Sequence, residues 1–510
     1  MANALQLPRA HLIAALILPL AVILGYILVD PLEPSSLTVL GLVLAALALP
    51  LMMRWYHPVL IFLWNAAIAP VFVPGSPYLW MLVALVGFLI SVLNRSVNRN
   101  FRFISVPSIN YALLSLVVVV GVTAYFNGGI GSQIFGSSRY GGRRYFYTFL
   151  AVIGYFVLTS RRIPAHRAML FTSLFFLSSL SALVPDLLGL TGNSSSFLYQ
   201  FFPPDFSTMQ ALSGAMESDI MFRIYGLTAS SIGLFFALLA LYGIRGMLEW
   251  DKPWRAGLLV LAFVACGYSG FRSILILMGL TFMIQFYFEG LHRTRLLAAF
   301  SGVLLLGGGL ILTQSEKLPL VVQRTISFLP VNVNPTVKWS ADASLKWRLD
   351  MWKAVLPEVP KHLLLGKGYS MDPTALYFSG ETRGNSEFEW AVVTGDYHNG
   401  PLSLVMPFGI WGLIAFGWFC VASLRYLYRN YKSGTSELRP INTFLLSYFA
   451  ARLAFFVIFF GGFWSDFCMF TGIIGLSISL NGTEHAKVAK PETEVLEEEF
   501  ADQAYRDDYA

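Results

Sequence analysis

Apolar runs of about 17 to 22 residues recur along almost the whole of this chain, the length an α-helix needs to cross roughly 30 Å of hydrocarbon. Strands of a membrane barrel would be shorter and would alternate polar with apolar residues. The expected fold class is therefore an all-α polytopic membrane protein. Composition agrees: of 510 residues, 56% are hydrophobic, 15% aromatic and only 13% charged, a balance that excludes a soluble globular protein. The runs fall at 12–29, 36–53, 58–73, 78–94, 106–126, 145–159, 168–190, 226–247, 256–270, 273–290, 296–313, 402–424, 441–460 and 464–481. Short ones such as 58–73 and 256–270 read as tilted or re-entrant, so the expectation is about 12–14 transmembrane helices. The first run follows a short basic start and shows no small-residue cleavage pattern before Asp30, which reads as a retained helix. Cys266, Cys420 and Cys468 lie inside or at the edges of apolar runs, so no disulfide framework or metal motif is suggested.

Orientation follows from Lys and Arg in the short connectors. The segments Asn94 to Arg102, Arg161 to Arg167, Arg245 to Arg255, His292 to Arg295 and Arg425 to Lys432 all fall on one side, which is assigned to the cytoplasm. Both termini then lie inside. The segment from Gly128 to Arg144 breaks the rule, because Arg139, Arg143 and Arg144 fall on the outer side. Such an exception marks either a miscounted span or an anion-binding face. Two long connectors also lie outside, Thr191 to Arg223 and Gln314 to His398. The implied divisions are transmembrane helices 1–11 over residues 1–313, a large periplasmic loop over 314–398, helices 12–14 over 399–481 and a disordered acidic cytoplasmic tail over 482–510.

The large loop contains a helix pattern from Ala341 to Leu356, with Leu345, Leu349, Trp352 and Leu356 forming an amphipathic stripe. Ser340 or Asp342 could cap it, and Pro357 ends it. Arg348 falls on the edge of the stripe while Lys346, Asp350 and Lys353 point away. A guanidinium held against a packed surface needs an anion or an acceptor; the alternative is a stem that snorkels along the apolar face to water. The loop ends in Asp396-Tyr397-His398-Asn399-Gly400-Pro401-Leu402, which reads as His398 just before a capped membrane helix. A positive helix terminus disfavours imidazolium, so His398 should be neutral and able to accept a proton, or else serve as a polar anchor at the interface.

On this topology Arg223, Arg272, Arg348 and His398 share one membrane depth at the outer face. Arg272 sits in a break, Gly267 to Ser273, where the glycines would allow close backbone approach and Ser269 and Ser273 could satisfy freed carbonyls. Arginines gathered on a rim between lipid and water suit a phosphate-bearing amphiphile such as a lipid pyrophosphate. In glycosyl transfer from such a donor the leaving group gains charge, which fixed guanidinium groups stabilise, and a neutral histidine can take the proton of the acceptor hydroxyl. No metal or other cofactor is required. Deeper, Arg452 lies within a span, with Asp466 as the expected partner of a structural ion pair.

Four pieces then carry a family resemblance: Arg223-Ile224-Tyr225-Gly226; Ser269 to Ser273; Trp347-Arg348 to Trp352 followed by Leu363-Leu364-Leu365-Gly366-Lys367-Gly368; and Tyr397-His398-Asn399-Gly400-Pro401-Leu402 to Gly409-Ile410-Trp411-Gly412. In this order, over roughly Arg223 to Gly412, they resemble the O-antigen ligase and O-antigen polymerase superfamily. The resemblance implies about twelve helices, a periplasmic loop capping a lipid-facing cavity, and metal-independent transfer of a glycan from undecaprenyl pyrophosphate. By position, Arg223, Arg272 and Arg348 would contact the pyrophosphate, and His398, with Arg348, would be catalytic. The implied protein is a glycosyltransferase of the bacterial inner membrane with its site facing the periplasm. Its partners would be a lipid-linked glycan donor, an acceptor such as lipid A core or another lipid-linked glycan, and membrane lipids, with no nucleic acid. A ligase and a polymerase would share this donor chemistry. A lipid-linked glycan transporter or flippase is the rival class, but it predicts charges near the midplane and basic residues reachable from both faces, whereas these spans, apart from Arg452, are nearly uncharged.

Overall fold

The computed structural model describes residues 34–98, 103–128, 141–191, 197–205, 223–374 and 388–482, with a few isolated positions besides. Most of the expected first span 12–29, the acidic tail after Gly482, Arg139 and most of the connector before Arg223 lie outside the described residues. Among those described, every regular element is a helix. Eight helices are long and apolar enough to cross a membrane, and Pro253–Tyr268 and Arg272–Phe288 are shorter apolar helices. The chain is an all-α, multi-pass membrane protein.

The first part of the chain supplies α1 (Pro34–Leu63), α2 (Leu79–Val97), α3 (Pro107–Asn127), α4 (Gly142–Leu158), α5 (Ala168–Leu177), α6 (Leu183–Leu190), α7 (Tyr225–Met247), α8 (Pro253–Tyr268), α9 (Arg272–Phe288) and α10 (Arg295–Gln314). The large connector adds α11 (Leu320–Ile326), α12 (Pro335–Val355), α13 (Val359–His362) and α14 (Glu389–Thr394). The last three spans are α15 (Gly400–Ser433), α16 (Arg439–Ile458) and α17 (Phe463–Asn481).

The expected run 58–73 is helical only to Leu63. Beyond it the backbone is irregular, with Ala69 N–H donating to Phe201 O (2.8 Å) and Leu79 N–H donating to Ile68 O (2.8 Å). Irregular backbone within an apolar bundle persists where it is enclosed by protein or lines a cavity, and Trp64 to Ala67 do line one. The expected run 168–190 is likewise divided, by a 3-10 turn at Ser178–Ala182.

The interior is built around α17, of whose most apolar window 83% is buried, whereas none of the corresponding window of α10 is. Their sequences differ accordingly. The small residues of α17 let neighbours approach: a Cβ at Gly472 would lie 2.0 Å from the Trp64 indole nitrogen, which donates to Cys468 O at 3.2 Å. On α10 the run Leu304-Leu305-Leu306 is exposed, as expected of a helix that faces lipid.

The connector docks where α15 is broken. Gly409 has φ +65° inside α15, two residues after Pro407. Ile410 N–H donates to Leu363 O (2.7 Å), Lys367 N–H to Met406 O (2.8 Å) and Gly368 N–H to Pro407 O (3.0 Å). The carbonyls freed by the break are thus met by the Leu363–Gly368 turn, so these two sequence motifs exist to fit each other. Nearby, Tyr369 N–H donates to Tyr145 Oη on α4 (2.8 Å).

The amphipathic helix differs from its sequence expectation. It begins six residues earlier than Ala341, at Pro335, where Asn334 rather than Ser340 or Asp342 caps it by accepting from Thr336 N–H (2.9 Å). It ends at Val355, and Pro357 lies in the 3-10 turn that follows. The buried residues are Val337, Ala341, Met351 and Val355, whereas Leu345, Leu349 and Leu356 are exposed. Val337, Ala341, Ser344, Arg348, Met351 and Val355 recur at steps of four, three, four, three and four, so Arg348 belongs to the middle of the inward face and not to its edge.

Candidate active site

The break between α8 and α9 is the hub on which the site is assembled. Ile224 N–H donates to Ser269 O (3.0 Å), which brings the start of α7, and with it Arg223, to the break. Thr325 Oγ1 donates to Gly267 O (3.3 Å), bringing α11 and Arg324. Arg272 Nη2 donates to Ala341 O (3.4 Å), which holds α12. Within the break, Ser269 Oγ donates to Cys266 O (2.6 Å), as its sequence position suggested. The glycines act differently from expectation. Gly270 has φ +82°, a left-handed turn that favours glycine, whereas a Cβ at Gly267 would meet nothing within 4 Å.

Arg223, Arg272, Arg324, Arg348 and His398 all line one cavity of about 870 Å³, which continues inward past Ile232, Phe236 and Leu277. The structure thus brings together all four residues expected from the sequence and adds Arg324. Two of the arginines lie against aromatic faces: Arg223 Cζ is 5.6 Å from the Phe271 ring centroid and Arg348 Cζ 5.7 Å from that of Phe460. Among the described residues none of the four arginines makes an ion pair.

Charge crowding follows. Burial, then the Arg223 and Arg272 guanidinium groups, pull Arg324 down to about 10. Arg348 is lowered by burial and by Arg272 and Arg223, and Arg223 by burial and by Arg272. Arginine remains protonated at neutral pH despite such shifts, so the mutual repulsion is a cost that an anion in the cavity would relieve.

His398 sits where the connector enters α15, at φ +49°, a left-handed conformation uncommon for any residue with a side chain. Its neighbours impose it. Asn399 caps α15 by accepting from Leu402 N–H (3.0 Å), and Trp352 Nε1 donates to Tyr397 O (2.8 Å). Gly400 is pressed against α16, where a Cβ would come 2.2 Å from Phe456 O. The imidazole lies between Trp347 and Phe460, with ring centroids 5.4 and 5.1 Å away. Burial holds it below the ordinary imidazole range; Asp396 opposes this, while Arg348 and Arg223 reinforce it. His398 is therefore neutral at pH 7. Its Nδ1 is buried without a hydrogen-bond partner among the described residues and lies 3.9 Å from Asp396 Oδ1, too far for a hydrogen bond but on the side where a proton would be stabilised.

Two further basic residues, Arg144 and Lys367, position this corner. Arg144 Nη1 donates to Thr394 O at the end of α14, and its guanidinium lies 5.6 Å from the Tyr369 ring and 5.9 Å from that of Trp464. Lys367 Nζ donates to Val392 O (3.3 Å). Both cations cap the carbonyl end of α14, which carries a negative partial charge. The irregular charge count over Gly128 to Arg144 was the signal for Arg144; Arg324, one loop cation among several on a short helix, gave none. Arg452, as expected, pairs with Asp466 (Nη2 to Oδ1, 2.6 Å).

Among the described residues no group of three His, Cys, Asp or Glu side chains gathers as a metal site would require. No curated protein matches the chain. The family model described as O-Antigen ligase matches residues 257–417, a stretch that contains the α8–α9 break, all of α12 and the His398 corner. Over that stretch the chain is similar to the O-antigen ligase family.

Proposed function

We propose that this membrane protein transfers a glycan from undecaprenyl pyrophosphate to an acceptor hydroxyl, without a metal, on the periplasmic side of the bacterial inner membrane. The observation that carries the reading is the set of four arginines around one cavity that make no ion pair among the described residues, with a neutral histidine at the same rim. In the reaction the acceptor oxygen bonds to the anomeric carbon, the bond from that carbon to the phosphate oxygen breaks, and the pyrophosphate leaves with the electron pair. Arg223, Arg272, Arg324 and Arg348 would stabilise the charge that grows on the leaving group. With its proton on Nδ1, facing Asp396, His398 would take the acceptor proton on Nε2.

The basic connectors favour this orientation, since their positive charge concentrates at the end of the bundle opposite the arginine rim. Lipid A core as acceptor would make the protein a ligase, and another lipid-linked glycan would make it a polymerase; both use the site described. The test is transfer by purified, reconstituted protein from an undecaprenyl-pyrophosphate-linked glycan in the presence of EDTA. The proposal expects transfer by the wild type, indifferent to chelator, and its loss in a folded His398→Ala variant. Full transfer by that variant would place the proton acceptor elsewhere.

A further inference from the structure

The arginine rim accounts for part of the cavity lining. Trp64, Tyr78, Trp80, Tyr147, Arg452 and Trp464 line the same cavity. These rings form a continuous wall: Trp64 and Trp80 are 5.1 Å apart between centroids, and Tyr147 makes near-perpendicular contacts with Trp80 (6.3 Å), Tyr78 (5.9 Å) and Trp464 (5.0 Å). Packing alone would explain aromatic residues in a bundle, but not a charged group set among them. Arg452 donates through Nη2 to Asp466 (2.6 Å) and through Nη1 to Tyr448 Oη (3.0 Å). Its Nε is buried without a hydrogen-bond partner among the described residues. The pair is close to neutral as a unit, because Asp466 balances the guanidinium, so this part of the lining does not repeat the anion-binding chemistry of the rim.

Aromatic faces beside fixed polar donors are the chemistry that recognises a neutral, hydroxyl-rich ring: C–H bonds lie on the aromatic faces, and hydroxyl groups accept from the donors. We propose that this part of the cavity is a pyranose subsite that holds the first sugar of the donor, with Arg452 Nε donating to one of its hydroxyl groups. The inference rests on the glycan-transfer reading, in which the pyrophosphate occupies the rim. The sugar is bonded directly to that pyrophosphate, so it must lie in the adjoining part of the same cavity. The Asp466 pairing then has a second role, since it fixes the guanidinium plane and with it the direction of Nε–H.

The test compares binding of two lipids by the full-length protein in nanodiscs, followed by tryptophan fluorescence: undecaprenyl pyrophosphate, and the same lipid carrying one N-acetylglucosamine. The wild type should bind the glycosylated lipid about tenfold more tightly, the worth of roughly 1.4 kcal/mol. Arg452→Lys and Trp464→Phe should each reduce that difference to near unity while leaving affinity for the bare pyrophosphate unchanged. Lysine retains the charge and the Asp466 partner but lacks Nε–H, so this variant separates the proposed contact from folding; thermal unfolding checks that both variants are folded. Equal affinity of the wild type for the two lipids, or an undiminished difference in both variants, would overturn the subsite. Failure of the wild type to bind either lipid would instead sink the glycan-transfer reading on which it rests.

Discussion

Arginines in two regions of this molecule meet opposite surroundings. Arg452 in α16 and Arg255 near the start of α8 are each answered by a carboxylate: Arg452 by Asp466 at 2.6 Å, and Arg255 by Glu249 at 2.9 Å together with Gly246 O at 3.0 Å. The rim arginines Arg223, Arg272, Arg324 and Arg348 gather with no such ion pair among the described residues, and neighbouring guanidinium groups lower the proton affinity of Arg223, Arg324 and Arg348. A paired cation belongs to the fold. An unpaired set is a cost to the fold that a bound anion would relieve.

Substitutions can break this contrast. The largest expected effect is on chemistry: His398→Gln should lower kcat by roughly 10²–10⁴, measured as transfer at saturating donor. Next is stability. Arg452→Ala leaves Asp466 buried and uncompensated and should destabilise by about 3–5 kcal/mol, read by thermal or denaturant unfolding. Arg324→Ala should leave stability unchanged or raise it, because it removes repulsion from Arg223 and Arg272. A drop comparable to that of Arg452→Ala would erase the distinction between the two sets. In activity Arg348→Ala should cost about 10²–10³, and Arg348→Lys should restore only part of it, because an ammonium lacks the planar fork.

The pH profile sharpens the picture of His398. Its folded-state affinity for a proton is depressed, so the neutral, accepting form should persist as pH falls below the ordinary histidine value of about 6.5. Activity should be retained through that point and be lost only on further acidification. The stability contribution has the same sign: protonation favours the unfolded state, so stability falls as pH drops through the depressed folded value. An acid limb at or above the ordinary value would contradict the buried, arginine-flanked environment. The smallest expected effect is that of Arg144→Ala, roughly tenfold in kcat with little change in donor KM, because it loosens the α14 end that leads to His398 without touching the cavity floor. Partial rescue by Arg144→Lys would mark a positioning role.

Much of this could be read from the sequence, because apolar length and cap residues are local signals. The membrane helices after Arg223 start within a few residues of their expected positions, and of Asn399 and Gly400, either of which could cap α15, Asn399 does so. The convergence of Arg223, Arg272, Arg348 and His398 was also legible, since residues at corresponding ends of spans must share a depth. What escaped was set by tertiary contact. The leucine stripe of α12 suggested the wrong buried face: Leu345 and Leu349 are exposed, whereas Val337, Ala341, Met351 and Val355 are buried. The Leu363–Gly368 turn and the Gly409 break have no meaning apart from each other. Arg324 joins the rim only because Thr325 reaches Gly267 across the sequence.

The central claim is that the unpaired arginine rim is a pyrophosphate site. It is tested most directly by the thermal unfolding midpoint of the purified protein with and without undecaprenyl pyrophosphate, for the wild type and Arg348→Ala. The account predicts that the lipid raises the wild-type midpoint, since ligand binding to the folded state stabilises it, and that the rise shrinks sharply in the variant. No rise in the wild type, or an equal rise in both proteins, would contradict it.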